Sequence, residues 1–285
     1  MKAMKEENKG KTVLITGASN GFGLEFARLF AEDGYNLVLV SRSTDRMKKL
    51  AYELQDRHQL EHVCVVTSDL ARAESPREVY EEVTKSGIQV DVLVNNAGAG
   101  TYGFFYETDL EREKAIIQLN VTTPVELTKL FLQDMKRRNE GKILNVASVV
   151  SHMASPLMAI YGATKAFILS FSEALTNELQ DTNITVTALC PGASNTMFFR
   201  RAGAAHTKAA NGPLSEPAEV AKDGYEALMN GETKIVSGFM NKAQTTATGI
   251  VPDSVSAAAM RKMMEEEEGA EHQERRRDDE YHVET

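Results

Sequence analysis

The stretch Thr16-Gly17-Ala18-Ser19-Asn20-Gly21-Phe22-Gly23 decides the fold predicted for this chain. It follows an apolar, β-branched run at residues 13–16 and precedes an apolar helical pattern that starts at Leu24. Glycines between a strand and a helix allow a tight turn and a close approach of the backbone to a pyrophosphate, and the helix N-terminus offers free N–H groups. The turn therefore predicts a dinucleotide site, with an ordinary glycine-rich loop as the alternative.

Short apolar runs alternate with helical patterns along the rest of the chain. The predicted strands cover residues 13–16, 37–41, 62–67, 90–95, 142–148 and 185–190, with a weak seventh at 234–236. The predicted helices cover residues 21–33, 43–57, 75–86, 108–138, 157–181 and 217–230. Continuous apolar strands indicate a sheet that is covered on both faces, and the alternation implies right-handed βαβ crossovers. We therefore predict an α/β fold, a doubly wound parallel sheet (Rossmann fold) in one domain over residues 12–262, with strand order 3-2-1-4-5-6.

Composition and charge exclude several other classes of protein. Of the 285 residues, 42% are hydrophobic and 26% are charged, which is typical of a folded domain. No apolar run approaches the roughly 18 residues that span a membrane. We therefore expect no transmembrane segment, and the lack of a basic groove predicts no nucleic-acid partner. The six histidines show no metal-ligand spacing with cysteines or acids, so we also expect no metal.

The two ends of the chain differ from its body. Residues 1–11 are polar and lysine-rich, so we expect a short N-terminal extension and no signal peptide. Residues 265–285 hold ten acidic and three basic side chains, and we predict a charged tail over 263–285 that is flexible or helical. An interaction tail or an oligomer contact is the alternative. Two cysteines, Cys64 and Cys190, are too few for a disulfide framework and favour the reducing environment of the cytoplasm.

Three side chains predict acid–base chemistry on an oxygen atom. Tyr161 and Lys165 lie four residues apart in a predicted helix and so share one face of it. An ordinary tyrosine has a pKa near 10, but a neighbouring positive charge lowers that pKa, and the same hydroxyl can protonate a carbonyl oxygen in the reverse reaction. Ser148 ends the fifth predicted strand, where ligands bind in open parallel sheets. A surface helix pair is the alternative interpretation of Tyr161 and Lys165.

The TGxxxGxG spacing of the turn, together with these three side chains, resembles the short-chain dehydrogenase/reductase family. The resemblance implies that Ser148, Tyr161 and Lys165 are the catalytic serine, tyrosine and lysine. Asn120 matches the family's catalytic asparagine, which holds a water in the proton relay, and a helix kink is its structural alternative. Short motifs in the family's order extend the resemblance over roughly residues 12–240. It implies an oxidoreductase that interconverts a carbonyl and a secondary alcohol by hydride transfer.

The resemblance also implies a set of cofactor-binding residues. They come from the glycine turn, from the ends of the second, third, fourth and sixth predicted strands, and from the catalytic helix. The set is Gly17, Ser19, Asn20, Gly21, Phe22, Gly23, Ser41, Arg42, Asp69, Leu70, Asn96, Ala97, Gly98, Tyr161, Lys165, Pro191, Gly192 and Thr196.

The end of the second predicted strand bears on the choice between NADP(H) and NAD(H). An acid there would bind the ribose hydroxyls and repel a 2′-phosphate, and members that prefer NAD usually carry Asp where this chain has Ser41. Arg42 follows and can bind a phosphate with its forked guanidinium. NADP(H) is therefore preferred, with NAD(H) possible. One feature departs from the pattern: some NADP-preferring relatives carry a second basic residue in the glycine turn, where this chain has Asn20.

The family implies that substrate specificity comes from residues 149–160 and 193–213. Their apolar side chains predict a pocket for a lipophilic ketone or aldehyde, with core packing as the alternative role. The candidate substrate-binding residues are Ser148, Val150, Met158 and Phe198. Residues 200–212 are small and polar, which is consistent with a mobile lid that orders on binding.

The partners expected by resemblance are a small-molecule carbonyl or alcohol and further copies of the chain. Relatives are usually dimers or tetramers built on the long fourth and fifth helices. The rival from another class is a catalytically quiet dinucleotide-binding sensor or scaffold that acts through a partner. The complete set of Ser148, Tyr161 and Lys165 argues against it, because a silent binder needs none of their chemistry.

Overall fold

The structure, a computed structural model, describes residues 8–238 and 252–267 of the chain. Its strands are β1 (Thr12–Thr16), β2 (Asn36–Ser41), β3 (Val63–Thr67), β4 (Val92–Asn95), β5 (Gly141–Val146), β6 (Ile184–Cys190) and β7 (Lys234–Val236). Its helices are α1 (Gly21–Glu32), α2 (Thr44–His58), α3 (Ser75–Lys85), α4 (Leu110–Ile117), α5 (Thr123–Arg138), α6 (Ala159–Glu178), α7 (Phe198–Ala202), α8 (Lys208–Asn211), α9 (Pro217–Met229) and α10 (Asp253–Met263).

All the strands named above are parallel and form one sheet in the order β3-β2-β1-β4-β5-β6-β7. The predicted doubly wound parallel sheet is therefore confirmed, and the weak seventh strand is present at its edge. The order reverses between β1 and β4, where the chain crosses from one half of the sheet to the other. In such sheets ligands bind at the carboxyl ends of the strands beside this reversal.

Successive residues of the central strands pack into opposite layers, which explains why these strands are apolar throughout. In β1, Val13 and Ile15 pack with Phe26 and Phe30 of α1, in the layer that also holds α2 and α9. Leu14 points the other way, into the layer formed by α3, α5 and α6. A parallel sheet with helices on both faces leaves no side of a central strand for polar residues.

The long helix predicted over residues 108–138 is interrupted. The structure divides it into α4 and α5, which are joined by a π-helical turn at Gln118–Thr122. Such wide turns occur mostly as single interruptions of a helix and are frequent at functional sites. Asn120 lies in this turn, which agrees with the helix-kink interpretation of that residue.

The domain boundary predicted at residue 262 falls within the C-terminal helix. Helix α10 continues through Met263, and Met264 is only 4% exposed. Residues 263–267 therefore contact the domain, although their sequence is too charged to predict burial. The rest of the predicted tail, residues 268–285, lies outside the described residues, as do residues 1–7 of the N-terminal extension.

The two cysteines are both free thiols, as their number predicts. Cys190 is fully buried in β6, whereas Cys64 in β3 is only partly buried. Burial raises the pKa of the Cys190 thiol to about 11. The thiol is therefore protonated at neutral pH and behaves as a small apolar side chain.

Candidate active site

The glycine turn has the backbone conformation that its sequence predicts. Gly17 and Gly21 have φ values of +67° and +54°, in the left-handed region that side chains with a Cβ rarely adopt. A Cβ atom on Gly23 would lie 2.3 Å from the Gly17 carbonyl oxygen, so only glycine lets α1 begin this close to β1. The turn leaves room for an anionic group at the N-terminus of α1, which is the arrangement that binds a pyrophosphate.

The end of β4 is tied to the same turn by hydrogen bonds. The Asn96 side chain donates to the Thr16 carbonyl at 2.8 Å and to the Gly17 carbonyl at 3.3 Å. The Thr16 hydroxyl accepts from the backbone N–H groups of Asn96 and Ala97, each at 3.0 Å. These bonds hold residues 95–98, the NNAG segment, beside the glycine turn. They also explain the use of asparagine at position 96.

Ser148, Tyr161 and Lys165 come together at the carboxyl end of β5. The Ser148 side chain lies close enough to Tyr161 to affect its pKa, and its hydroxyl donates to the Pro191 carbonyl at 3.3 Å. The Lys165 ammonium is 5.8 Å from the centre of the Tyr161 ring. Lys165 is 5% exposed and donates to the Val146 carbonyl at 2.7 Å. The helical spacing therefore places both α6 side chains on the face that meets Ser148.

Burial determines the protonation of this group. Burial raises the pKa of Tyr161 to about 12, and the neighbouring Ser148 side chain opposes that rise without cancelling it. Burial also lowers the pKa of the Lys165 ammonium to about 8. In the protein by itself, burial has the larger effect, so the net lowering of the Tyr161 pKa that its spacing from Lys165 predicts is not seen. Tyr161 carries its proton at neutral pH and is ready to donate it.

Asn120 lies behind this group rather than on the cavity surface. It is 2% exposed, and its side-chain amide exchanges hydrogen bonds with the backbone N–H and carbonyl of Ala99, at 2.9 and 2.8 Å. It also donates to Thr164, the residue before Lys165, at 3.0 Å. A Cβ on Gly98 would lie 3.4 Å from the Asn120 oxygen and 3.5 Å from the Lys165 ammonium. The wide turn thus brings Asn120 against the segment that faces Lys165.

One cavity of about 1150 Å³ joins the glycine turn to the Ser148–Tyr161–Lys165 group. It is lined by all the predicted cofactor- and substrate-binding residues except Gly23, which packs beneath the turn. A volume at the upper end of ordinary ligand pockets suits a dinucleotide together with a substrate. The structure therefore brings the predicted cofactor and substrate sites into one continuous space.

Part of the cavity comes from residues that sequence reasoning missed. Helix α4 and the turn that follows it contribute Arg112, Ile116 and Leu119, and the C-terminal helix contributes Met260, Met263 and Met264. The spacing of Met260 and Met264, one helical turn apart, was a usable signal for a buried face. The charged residues on either side of the two methionines make this apolar spacing hard to recognise in the sequence.

Contacts from the segments after β4 and β6 hold the C-terminal residues over the cavity. The Tyr102 hydroxyl donates to the Met264 carbonyl at 2.9 Å, and Lys208 forms an ion pair with Glu265 at 3.1 Å. The backbone N–H of Glu267 donates to the His206 carbonyl at 2.9 Å. Residues 200–212, for which the sequence predicts a mobile lid, contain the end of α7 and all of α8, and they contact the C-terminal residues.

A comparison with known protein families decides the classification. The family model described as short chain dehydrogenase matches residues 11–206. The chain belongs to the short-chain dehydrogenase family. It is therefore an oxidoreductase that acts on CH–OH groups with a nicotinamide dinucleotide, and the predicted family and enzyme class are confirmed.

Individual relatives of this short-chain dehydrogenase cover most of its length. A mouse protein named 17-beta-hydroxysteroid dehydrogenase type 3 is 30% identical over 238 residues, which span 82% of this chain and 76% of the relative. A short-chain dehydrogenase from Sphingobium yanoikuyae in complex with NADPH is 30% identical, with a TM-score of 0.75 over 86% of this chain and 97% of that one. A family member from Burkholderia phymatum in complex with NAD is 25% identical, with a TM-score of 0.75 over 84% and 93% of the two chains.

Metal-binding groups and membrane-spanning helices are two further features to consider in the described part of the chain. Within residues 8–238 and 252–267, no group of three or more histidine, cysteine or acidic side chains is arranged to hold a metal ion. In that same part of the chain, no helix combines the length and apolar character needed to cross a bilayer.

Proposed function

We propose that this short-chain dehydrogenase is an NADPH-dependent reductase that converts a lipophilic ketone or aldehyde to an alcohol, and that can run in reverse. The observation that carries the proposal is the single cavity with a protonated tyrosine at one end and arginines at the other. When bound, the cofactor supplies the hydride and the protein supplies orientation and the proton.

The residues of the cavity suit the dinucleotide. The left-handed glycines and the N-terminus of α1 leave room and N–H donors for the pyrophosphate. Ser41 and Arg42 line the cavity at the end of β2. Neither is an acid that would repel a 2′-phosphate. Asp69 and Leu70 follow β3, in position to contact the adenine. The preference for NADP(H) over NAD(H) rests on Arg42 and on the absence of an acid at position 41.

The acid–base roles follow from the protonation states. Because its pKa is raised to about 12, Tyr161 holds its proton at neutral pH and donates it to the substrate oxygen as negative charge develops there. The Ser148 hydroxyl, which lines the cavity with Tyr161, would donate to the same oxygen and stabilise that charge. Lys165 supplies a positive charge that assists loss of the Tyr161 proton, and Asn120 completes the path by which that proton is replaced.

The substrate end of the cavity favours an apolar carbonyl compound. Its lining residues beyond Ser148 and Tyr161 are mostly aliphatic, aromatic or methionine side chains, namely Ile116, Leu119, Val150, Met158, Phe198, Met260 and Met263. Methionines adapt to irregular apolar shapes. The steroid named in the mouse relative is of this chemical class, which supports the proposal without identifying the substrate of this chain.

The proposed setting is a homo-oligomer in the cytoplasm. Exposed apolar side chains support self-association through the helices predicted over residues 108–138 and 157–181. Ile117 in α4 is 40% exposed and Phe167 in α6 is 45% exposed. Two free thiols suit a reducing compartment.

The test is NADPH oxidation by the purified protein with ketones and aldehydes graded by size and polarity. We expect turnover that rises with apolar character. Tyr161→Phe should reduce kcat by about a thousandfold, because it removes the proton donor while it keeps the ring. NADPH binding, followed by the change in nicotinamide fluorescence, should remain and serves as the control for folding.

Full activity of Tyr161→Phe would contradict the mechanism. Tight NADPH binding with no turnover on any substrate of the panel would favour the sensor or scaffold alternative instead.

A further inference from the structure

An arginine from the segment after β6 reaches the glycine turn. The Arg201 guanidinium donates to the side-chain oxygen of Asn20 from Nη2 at 3.2 Å and from Nη1 at 3.3 Å, in the amide orientation that satisfies both groups. Arg201 also lines the cavity together with Ser41 and Arg42. Although Arg201 and Asn20 are far apart in sequence, the fold therefore places a positive charge beside the turn, where the turn itself carries none.

Arg42 and Arg201 line this end of the cavity, and Arg46 is close enough to influence Arg201 electrostatically. None of Arg42, Arg46 and Arg201 forms an ion pair with a carboxylate in the ranges 8–238 and 252–267. Burial, followed by the charges of Arg42 and Arg46, lowers the pKa of Arg201. Like charges that face one cavity without a counter-ion are unfavourable by themselves, and they are relieved when an anion binds between them.

Arg201 belongs to the same short helix as residues of the substrate pocket. Phe198, at the start of α7, contacts the Tyr161 ring with 4.8 Å between ring centres. The Arg201 carbonyl accepts a hydrogen bond from the Arg112 guanidinium at 2.6 Å, and the Ala202 carbonyl accepts one from the Tyr102 N–H at 2.9 Å. Arg201 and Phe198 are thus one helical turn apart in α7, so a shift of this helix moves both side chains.

We propose that Arg201 binds the 2′-phosphate of NADP(H) together with Arg42, and that this contact positions α7 and Phe198 against the carbonyl substrate. The inference rests on the proposed NADPH-dependent function. It assigns to Arg201 the second phosphate-binding charge that Asn20 does not supply. NAD(H) lacks the phosphate and cannot make the contact, so the choice of cofactor and the shape of the substrate pocket become coupled.

The coupling has a reciprocal consequence. If the 2′-phosphate favours the arrangement of α7 that binds the ketone, then the ketone must strengthen binding of the phosphorylated cofactor by the same factor. A substrate analogue that is not reduced should therefore tighten NADPH binding and leave NADH binding almost unchanged.

Binding of two adenosine nucleotides tests the phosphate contact without any turnover. In calorimetry, 2′,5′-ADP carries the extra phosphate and 5′-AMP lacks it. We expect wild-type protein to bind 2′,5′-ADP more tightly, and Arg201→Met to weaken that binding by about tenfold while 5′-AMP is unaffected. Arg200→Met is the matched control, because Arg200 is in the same helix but does not line the cavity. Arg201→Lys should recover part of the loss.

The KM of a ketone substrate tests the positioning role. In wild-type protein we expect a lower KM with NADPH than with NADH as the cofactor. Arg201→Met should raise the KM with NADPH to the value measured with NADH, with little change in kcat at saturating cofactor. Arg42→Met should weaken 2′,5′-ADP binding yet keep the difference in KM once cofactor is saturating.

The outcomes separate this inference from the proposed function. Equal affinity of wild-type protein for 2′,5′-ADP and 5′-AMP would overturn the proposed NADP(H) preference itself. If wild-type protein discriminates between them but Arg201→Met leaves the discrimination intact, or weakens 5′-AMP equally, the assignment of Arg201 is wrong. A loss of phosphate binding with an unchanged ketone KM would overturn the positioning role.

Discussion

The two ends of the cavity are built in different ways. The cofactor end consists of loops that directly follow β1, β2 and β4, and backbone atoms or glycines form much of its surface. The substrate end is assembled from α4, the segment after β6 and α10, which meet through side chains. A surface made by backbone tolerates almost no added atom, whereas a surface made by methionine and phenylalanine can rearrange. The difference predicts that substitutions at the two ends differ in severity and in kind.

The largest effect is expected where the two ends meet, at Lys165. Lys165→Met should reduce kcat by about a thousandfold, since it removes the charge that assists Tyr161. The same change should stabilise the free protein at pH 7 by about 2 kcal/mol, because it removes a buried charge with a single protein hydrogen bond in the described structure.

The pH dependence of this stabilisation follows from the pKa of Lys165. Burial lowers that pKa to about 8, below its value in the unfolded chain. Below pH 8 both states hold the proton and the full cost of burial applies. Between pH 8 and about 10.4 the unfolded state binds more protons, so the wild type gains stability as the pH rises. The advantage of Lys165→Met should therefore shrink over this window in urea unfolding curves, and a constant advantage would contradict the burial argument.

The next largest effect is expected from Gly23→Ala at the cofactor end. The new Cβ would lie 2.3 Å from the Gly17 carbonyl oxygen, so α1 must move away from the turn. We expect the free energy of unfolding to fall by about 3 kcal/mol and NADPH affinity to fall with it. The matched control at the substrate end is Gly212→Ala, whose Cβ would be 3.1 Å from the Lys208 carbonyl oxygen. If Gly23→Ala and Gly212→Ala lost equal stability and equal NADPH affinity, the proposed difference between the two ends of the cavity would be wrong.

A smaller and different effect is expected from Met264→Ala at the substrate end. Met264 is 4% exposed and packs with Met158, Ala202 and Met260. Its truncation should lower the free energy of unfolding by about 2 kcal/mol and raise the KM of bulky ketones several-fold, since α10 is less firmly held. NADPH affinity should not change. A loss of NADPH affinity, measured by fluorescence titration, would show that α10 also supports the cofactor end.

The smallest effect is expected from Lys208→Met, which removes the ion pair with Glu265. Both side chains are about half exposed, and such pairs contribute roughly 0.5 kcal/mol or less. Thermal unfolding and ketone KM should stay close to those of the wild type. A KM change as large as that of Met264→Ala would mean that the ion pair, rather than apolar packing, holds α10 in place.

The sequence predicted most residues that line the glycine-turn end of the cavity because the signals there are local. A glycine turn, the NNAG segment and the four-residue spacing of Tyr161 and Lys165 each depend on neighbours within one loop or one helical turn. It was less successful where burial depends on distant partners. The helix over 108–138 shows no local sign of its π-helical turn, and the pKa of Tyr161 is raised by surroundings that no motif describes.

By itself, the sequence determined the parallel sheet and the strand ends that meet at the cavity, and it predicted that Ser148, Tyr161 and Lys165 lie together, because periodicity and turn chemistry act over a few residues. Only the tertiary structure decided that Met260 and Met264 line the cavity, that Asn120 lies behind Gly98, and that Arg201 meets Asn20. These contacts join segments that are far apart along the chain, and the packing of α7 and α10 against the core creates them. Local patterns carry no information about which distant surface a helix will cover.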